Sequence, residues 1–319
     1  MTEKEQLHNA AEIALRECMG LKAKEQVLIV IDEPMVELGE IFYKEALRQR
    51  AEAMIIKMET RENHGSEPPT TVAEAMKASD VVLCVTSKSL SHTKARRKAN
   101  EAGTRVATLP ALTADMMSRT LTANYKEIKE RSELYGKILT EGKQVRITTA
   151  KGTDLTMDIN GREGQPDTGI YHRSGQFGNL PAGEAYIAPV EGTTNGKLVI
   201  DGAMSGLGIL SEPLEITVED GYAIAVKGKE ASKLEEIFKR YGKDARNIAE
   251  LGIGTNDKAK LTGFVLEDEK VLGTIHVAVG DNSTFGGKVQ VASHLDGIIT
   301  EPTVEIDGEA IIEKGKLLK

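Results

Sequence analysis

Residues 26–58 read QVLIVIDEPMVELGEIFYKEALRQRAEAMIIKM, and this stretch decides the fold of the first half of the chain. It opens with an apolar, β-branched run (26–32), breaks at Pro34, continues as a helical stretch (35–50), and ends in a second apolar run (53–58). Strands that are continuously apolar, rather than alternating, are buried on both faces and belong to parallel sheets covered by helices. The cycle extends in both directions. Upstream, residues 3–22 have helical spacing and stop at Gly20. Downstream come TVAEAMKAS (71–79) as helix, DVVLCVTS (80–87) as strand, SHTKARRKANEAG (91–103) as helix, TRVATLP (104–110) as strand, and a long helical run over 113–142. The order predicts a doubly wound, flavodoxin-like parallel α/β domain.

Such sheets often bind ligands beyond the carboxyl ends of their strands. The loop after the first strand, DEPMVE, has carboxylates and no glycine, which excludes a dinucleotide or P-loop phosphate site. KARRK (94–98) reads as a solvated helix face, and His8, His64 and His92 as isolated surface histidines. Cys18 and Cys84 have no motif around them and read as buried free thiols.

After Gly142 the texture becomes strands and turns, including a glycine-rich stretch over 161–184. With 319 residues, two domains are expected: 1–143, doubly wound α/β, and 144–319, a β-rich α+β metal-binding domain. A net charge of −8, no tryptophan and 4% aromatics argue against nucleic-acid or anionic-membrane partners. No apolar run reaches the length of a membrane span and the N-terminus has no signal-peptide pattern, so a cytoplasmic protein is expected.

The second half carries the candidate chemistry. In LGTIHVAVGDNSTFGGKVQVASHLDG (272–297), a strand over 271–279 would put His276 on one face with Leu272, Thr274 and Ala278, and Ile275, Val277 and Val279 on the other. His294 and Asp296 share a strand face in the same way. Two imidazoles and a carboxylate from two strands form a plausible metal site. Glu184 opens an apolar strand and Glu250 interrupts another, in NIAELGIG. Either could be an edge-strand or helix-terminal carboxylate; a buried carboxylate needs a partner, and a cation is one. The glycines of 202–208 and 252–257 read as turns.

Four fragments in order, NLPAGEAYIAPVEGTTNG (179–196), IAELGIG (248–254), GTIHVAVGDN (273–282) and SHLDG (293–297), resemble the metal-binding segments of the thermophilic metalloaminopeptidases, the aminopeptidase T and S family. The resemblance implies metal ligands at Glu184, Glu250, His276, His294 and Asp296, with Glu250 bridging two divalent ions (Zn, Co or Mn). It implies release of N-terminal residues from peptides by a metal-activated water, and a homodimer. Those enzymes carry a tyrosine shortly after the first histidine; here 277–293 has Phe285 as its sole aromatic, leaving Tyr186 or Tyr171 to supply a hydroxyl. The loop 161–183, with Arg162, His172 and Arg173, leads into Glu184 and is a candidate wall of a substrate cleft. The alternative is a mononuclear Fe(II) ring-cleaving dioxygenase, similar to the 2,5-dihydroxypyridine dioxygenases, using His276, His294 and Asp296 alone. Glu184 and Glu250, superfluous for one iron, favour the peptidase expectation.

Overall fold

A computed structural model describes residues 2–319, organised as two compact units: residues 2–127 with Gly169–Ala182, and Ile128–Thr168 with Gly183–Lys319. The sequence reading places a single cut at 143–144, whereas by contact the chain passes between the units three times.

In the first unit, β1 (Gln26–Ile31), β2 (Glu52–Lys57), β3 (Val81–Val85) and β4 (Arg105–Thr108) pair in parallel in the order β2-β1-β3-β4. α1 (Glu3–Ile13) opens the unit, and α2 (Val36–Arg48), α3 (Thr70–Ala78) and α4 (Lys94–Glu101) connect the strands. One sheet face, with Leu28, Val30, Val82 and Cys84, packs on Val72 and Met76 of α3 and Ala95 and Ala99 of α4. On the other, α2 approaches β1 at Gly39, where a Cβ would lie 2.3 Å from Ile31 Cγ2. This is the expected α/β sheet, covered on both faces.

Three local features depart from the sequence reading. The expected 113–142 helix is two helices, Ala114–Thr120 and Tyr125–Glu141, because Asn124 accepts from the amides of Lys126 and Glu127 and starts a new helix. A short strand, Phe177–Asn179, emerges from the glycine-rich stretch and pairs with β4. Arg96 of KARRK is not a solvated charge: its guanidinium lies 4.0 Å over the Phe177 ring. Cys18 and Cys84 are buried and outside any disulfide, as expected.

The second unit holds two antiparallel sheets. The larger is built on the hairpin Gln144–Thr148 and Asp154–Asp158, flanked by Asn195–Ile200 and Thr303–Ile306. The other contains, side by side, Glu184–Ile187, Ile248–Gly254, Ile275–Gly280 and His294–Ile299. Both sheets feed one core. Ile147, Leu155, Leu198 and Ile216 come from the first, and Ile187, Leu251, Ile253, Ile275, Val277 and Ile299 from the second. Because strand side chains alternate, the opposite face of the second sheet is left for the polar residues. Among the described residues, no helix is long and apolar enough to cross a membrane.

Candidate metal centre

Strand register assembles the polar face row by row. Tyr186 pairs with Gly252, which pairs with His276; Glu250 pairs with Ala278, which pairs with Asp296; Gly280 pairs with His294. Each chemistry-bearing side chain therefore has glycine or alanine as a neighbour. The requirement is sharpest at Gly252, where a Cβ would lie 2.0 Å from His276 Nε2. Gly252 and Gly254 belong to the strand and are not the turn residues expected from sequence: Gly252 makes room for the imidazole, and Gly254 for the Val271 carbonyl, which a Cβ would approach to 2.0 Å. Similarly, 271–274 forms a turn before the His276 strand, and Leu272 and Thr274 do not continue its face.

The five residues expected as ligands come together. Glu250 stands between the two histidines, with Oε1 3.3 Å from His276 Nε2 and Oε2 3.3 Å from His294 Nε2. His294 Nε2 is 3.2 Å from Asp296 Oδ1, and His276 Nε2 is 3.3 Å from Glu184 Oε2, outside hydrogen-bond geometry. Three overlapping groups have donor atoms close enough to share an ion: Glu184, Glu250 and His276; Glu250, His294 and Asp296; Glu269, His276 and Asp296.

The surroundings orient some of these groups. His294 Nδ1 lies 2.7 Å from the carbonyl of Asp281, so Nδ1 carries the donated proton and Nε2 faces the cluster. This is the arrangement that fixes the tautomer of a metal-ligating histidine. Ser205, in the turn between Ala203–Met204 and Gly208–Ile209, accepts from the Asp296 amide and donates to Asp296 Oδ2 at 3.2 Å. His276 Nδ1 is buried without a hydrogen-bond partner.

The sequence reading missed Lys270, Glu269 and Asp167. Lys270 is 1% exposed and its Nζ lies 2.6 Å from both Glu184 Oε1 and Glu269 Oε1, and 3.7 Å from Asp167 Oδ2. The lysine supplies Glu184 with the cationic partner that its burial demands. A carboxylate–lysine pair in the sequence LEDEKVLG was the available signal, but the adjacent residues give no periodicity that buries them.

Five carboxylates (Asp167, Glu184, Glu250, Glu269, Asp296) thus surround one ammonium and two imidazoles. Such an excess of negative charge in a buried site calls for a cation. Burial lowers the His276 imidazole, but its hydrogen bond to Glu250 and the fields of Glu184, Glu250 and Asp296 outweigh this and raise it to about 9. His294 is raised too, against burial, by Asp296 and Glu250. Burial raises Asp296, and His294 more than reverses this, holding it below the usual carboxylate range. Protons on the imidazoles balance part of the charge in the metal-free protein. A divalent ion would replace them. The nitrogen and oxygen donors, with no thiol, fit a borderline ion such as Fe(II), Mn(II) or Zn(II).

Within the 161–183 stretch, the Arg162 and His172 side chains have other partners. Arg162 pairs with Glu191. In the first unit, His172 Nε2 lies 2.6 Å from the Glu17 carbonyl, and the exposed Arg173 donates its amide to Gln176. Tyr171 is also structural, its hydroxyl donating to the Asn179 carbonyl.

Against solved structures, the chain shares its fold with two proteins along nearly its whole length. The structure of 2,5-dihydroxypyridine dioxygenase from Pseudomonas putida KT2440 matches with a TM-score of 0.85 and 18% identity, covering 99% of this chain and 97% of that one. AmpT from Thermus thermophilus matches with a TM-score of 0.74 and 17% identity, covering 99% and 100%. The family is decided by sequence: residues 12–319 match the model of NicX, 2,5-dihydroxypyridine 5,6-dioxygenase, and the chain belongs to that family. A curated 2,5-dihydroxypyridine 5,6-dioxygenase of Pseudomonas putida KT2440 is 21% identical over 258 residues, 76% of this chain and 72% of that protein.

These findings overturn the expectation of a metalloaminopeptidase, a hydrolase of peptide bonds; they point to an oxidoreductase. The likeness to AmpT holds at the level of the fold. The physical reason is that the four matching fragments are the strands and turns that present the donor cluster. That scaffold fixes where the donors stand without fixing the reaction.

Two measurements test this site. Gly252→Ala drives a methyl into the His276 imidazole, so divalent-metal affinity should fall by about 100-fold while the circular dichroism spectrum is kept. Unchanged affinity by calorimetric titration would contradict the packing. Unfolded histidine titrates near 6.5, so the stabilisation carried by protonated His276 is complete below that value and lost as pH rises through about 9. The melting temperature of the metal-free protein should fall over that window, and less so with metal bound. A flat or rising profile contradicts the charge balance described.

Proposed function

We propose that the protein is a ring-cleaving dioxygenase of dihydroxylated nitrogen heteroaromatics, with 2,5-dihydroxypyridine as the reference substrate and one Fe(II) held by His276, His294 and Asp296. The observations that carry the reading are His294 Nε2 lying 3.2 Å from Asp296 Oδ1 and His276 standing close enough to Asp296 to share an ion with it, in a chain whose family match spans residues 12–319. Two imidazoles and one carboxylate leave coordination positions free, the ligand economy of non-haem Fe(II) oxygenases.

Each residue has a defined task. His276 is fully buried and His294 is 30% exposed at its side chain, so the cluster is closed on the first side and reached from the second. Glu250 spaces the two Nε2 atoms, and Ser205 steadies Asp296. Lys270 holds Glu184 and Glu269 in place. Burial and the charges of Glu184 and Asp296 push the Glu269 carboxyl up to about 8 against the pull of Lys270, which suits it to exchange a proton with a ring hydroxyl. Ferrous iron, when bound, supplies the redox centre at which an electron-rich ring and dioxygen can meet.

Anaerobic loading with Fe(II), followed by 2,5-dihydroxypyridine and air, should give oxygen uptake equal to substrate consumed. Asp296→Ala should abolish uptake, and Glu269→Gln should slow it by about 100-fold or more with iron retained. Full iron loading with neither oxygen uptake nor substrate loss would refute this reading.

A further inference from the structure

The turn that orients His294 also places an aromatic ring beside it. Residues 281–291, DNSTFGGKVQV, are polar and glycine-rich around a single aromatic, Phe285. Its ring lies 6.0 Å from the His294 ring at 89°, and 5.6 Å from the Tyr186 ring at 80°, both edge-to-face. Tyr186 shares its sheet row with Gly252 and His276. Phe285 therefore reaches from the row of the buried histidine to the exposed one.

The ring is held there by a wired loop. The Asp281 carboxylate accepts from the amides of Ser283 (3.1 Å) and Val291 (3.0 Å) while its carbonyl takes the His294 Nδ1 contact. Asn282, fully buried, accepts from Val289 N at 2.9 Å and donates to Glu191 Oε1 at 3.1 Å, and the same oxygen accepts the Lys288 amide at 2.7 Å. Glu191 is in turn paired with Arg162. These ties fix the Asp281 carbonyl that orients His294 and, with it, the place of the half-buried Phe285 ring beside that histidine.

We infer that Phe285, with Tyr186, is the aromatic wall that receives the substrate ring on the open side of the metal centre, and so selects planar aromatic chelators over open-chain ones. The inference rests on the dioxygenase reading. Aromatic pairs gain stability in offset and edge-to-face arrangements, and the existing contacts of Phe285 already present it that way. An open-chain dicarboxylate bound through the metal alone would gain nothing from the wall.

The test is an anaerobic calorimetric titration of the Fe(II)-loaded protein with two probes, 2,5-dihydroxypyridine and oxalate. In Phe285→Ala, iron content should be unchanged, affinity for the dihydroxypyridine should fall by about tenfold, and affinity for oxalate should stay within about twofold. Phe285→Tyr, which keeps the ring, should retain the wild-type preference. Equal weakening of both probes makes Phe285 a support of His294 and overturns the inference, as does weakening of neither. Wild-type protein that binds iron and oxalate but no dihydroxypyridine overturns the underlying reading of the site instead.

Discussion

Glu250 placed 3.3 Å from the Nε2 atoms of two histidines is the constraint on which the rest of the second unit depends. A carboxylate at that depth, with four more around it, is stable only when positive charge is supplied nearby. The protein supplies it in two ways. Lys270 serves Glu184 and Glu269, and the imidazoles, protonated or metal-bound, serve Glu250 and Asp296. The sheet must then give these groups room, which explains Gly252 beside His276, and must anchor them, which explains the apolar residues on the opposite face.

The same geometry separates two layers within the site. Glu184, Glu269 and Asp167 gather on the buried lysine. His294, steadied by the Asp281 carbonyl, forms the side open to solvent, with Asp296 buried beside it and held by Ser205. The proposed ring cleavage would use this division, with the buried charge network setting proton affinities and the accessible edge admitting a substrate.

Much of this was legible in the sequence. The apolar runs at 26–32 and 80–87 fixed buried parallel strands, because only sheets covered on both faces tolerate such continuity. Alternation placed His276 opposite Ile275 and Val277, and His294 with Asp296, as the structure has them. Lys270 was not legible, since its burial arises from strands distant in sequence that converge on a turn. Ser205 was hidden for the same reason, as was the strand Phe177–Asn179 within a glycine-rich stretch. The reaction class was misread because the matching fragments belong to the scaffold, and a scaffold does not fix the reaction carried out on it.

The most direct test of the account is isotopic. With Fe(II)-loaded protein, 2,5-dihydroxypyridine and ¹⁸O-labelled dioxygen in unlabelled water, mass spectrometry of the promptly quenched ring-opened product should find both atoms of one dioxygen molecule incorporated. Product carrying oxygen from water at the cleaved bond, or an intact ring after full iron loading, would contradict it.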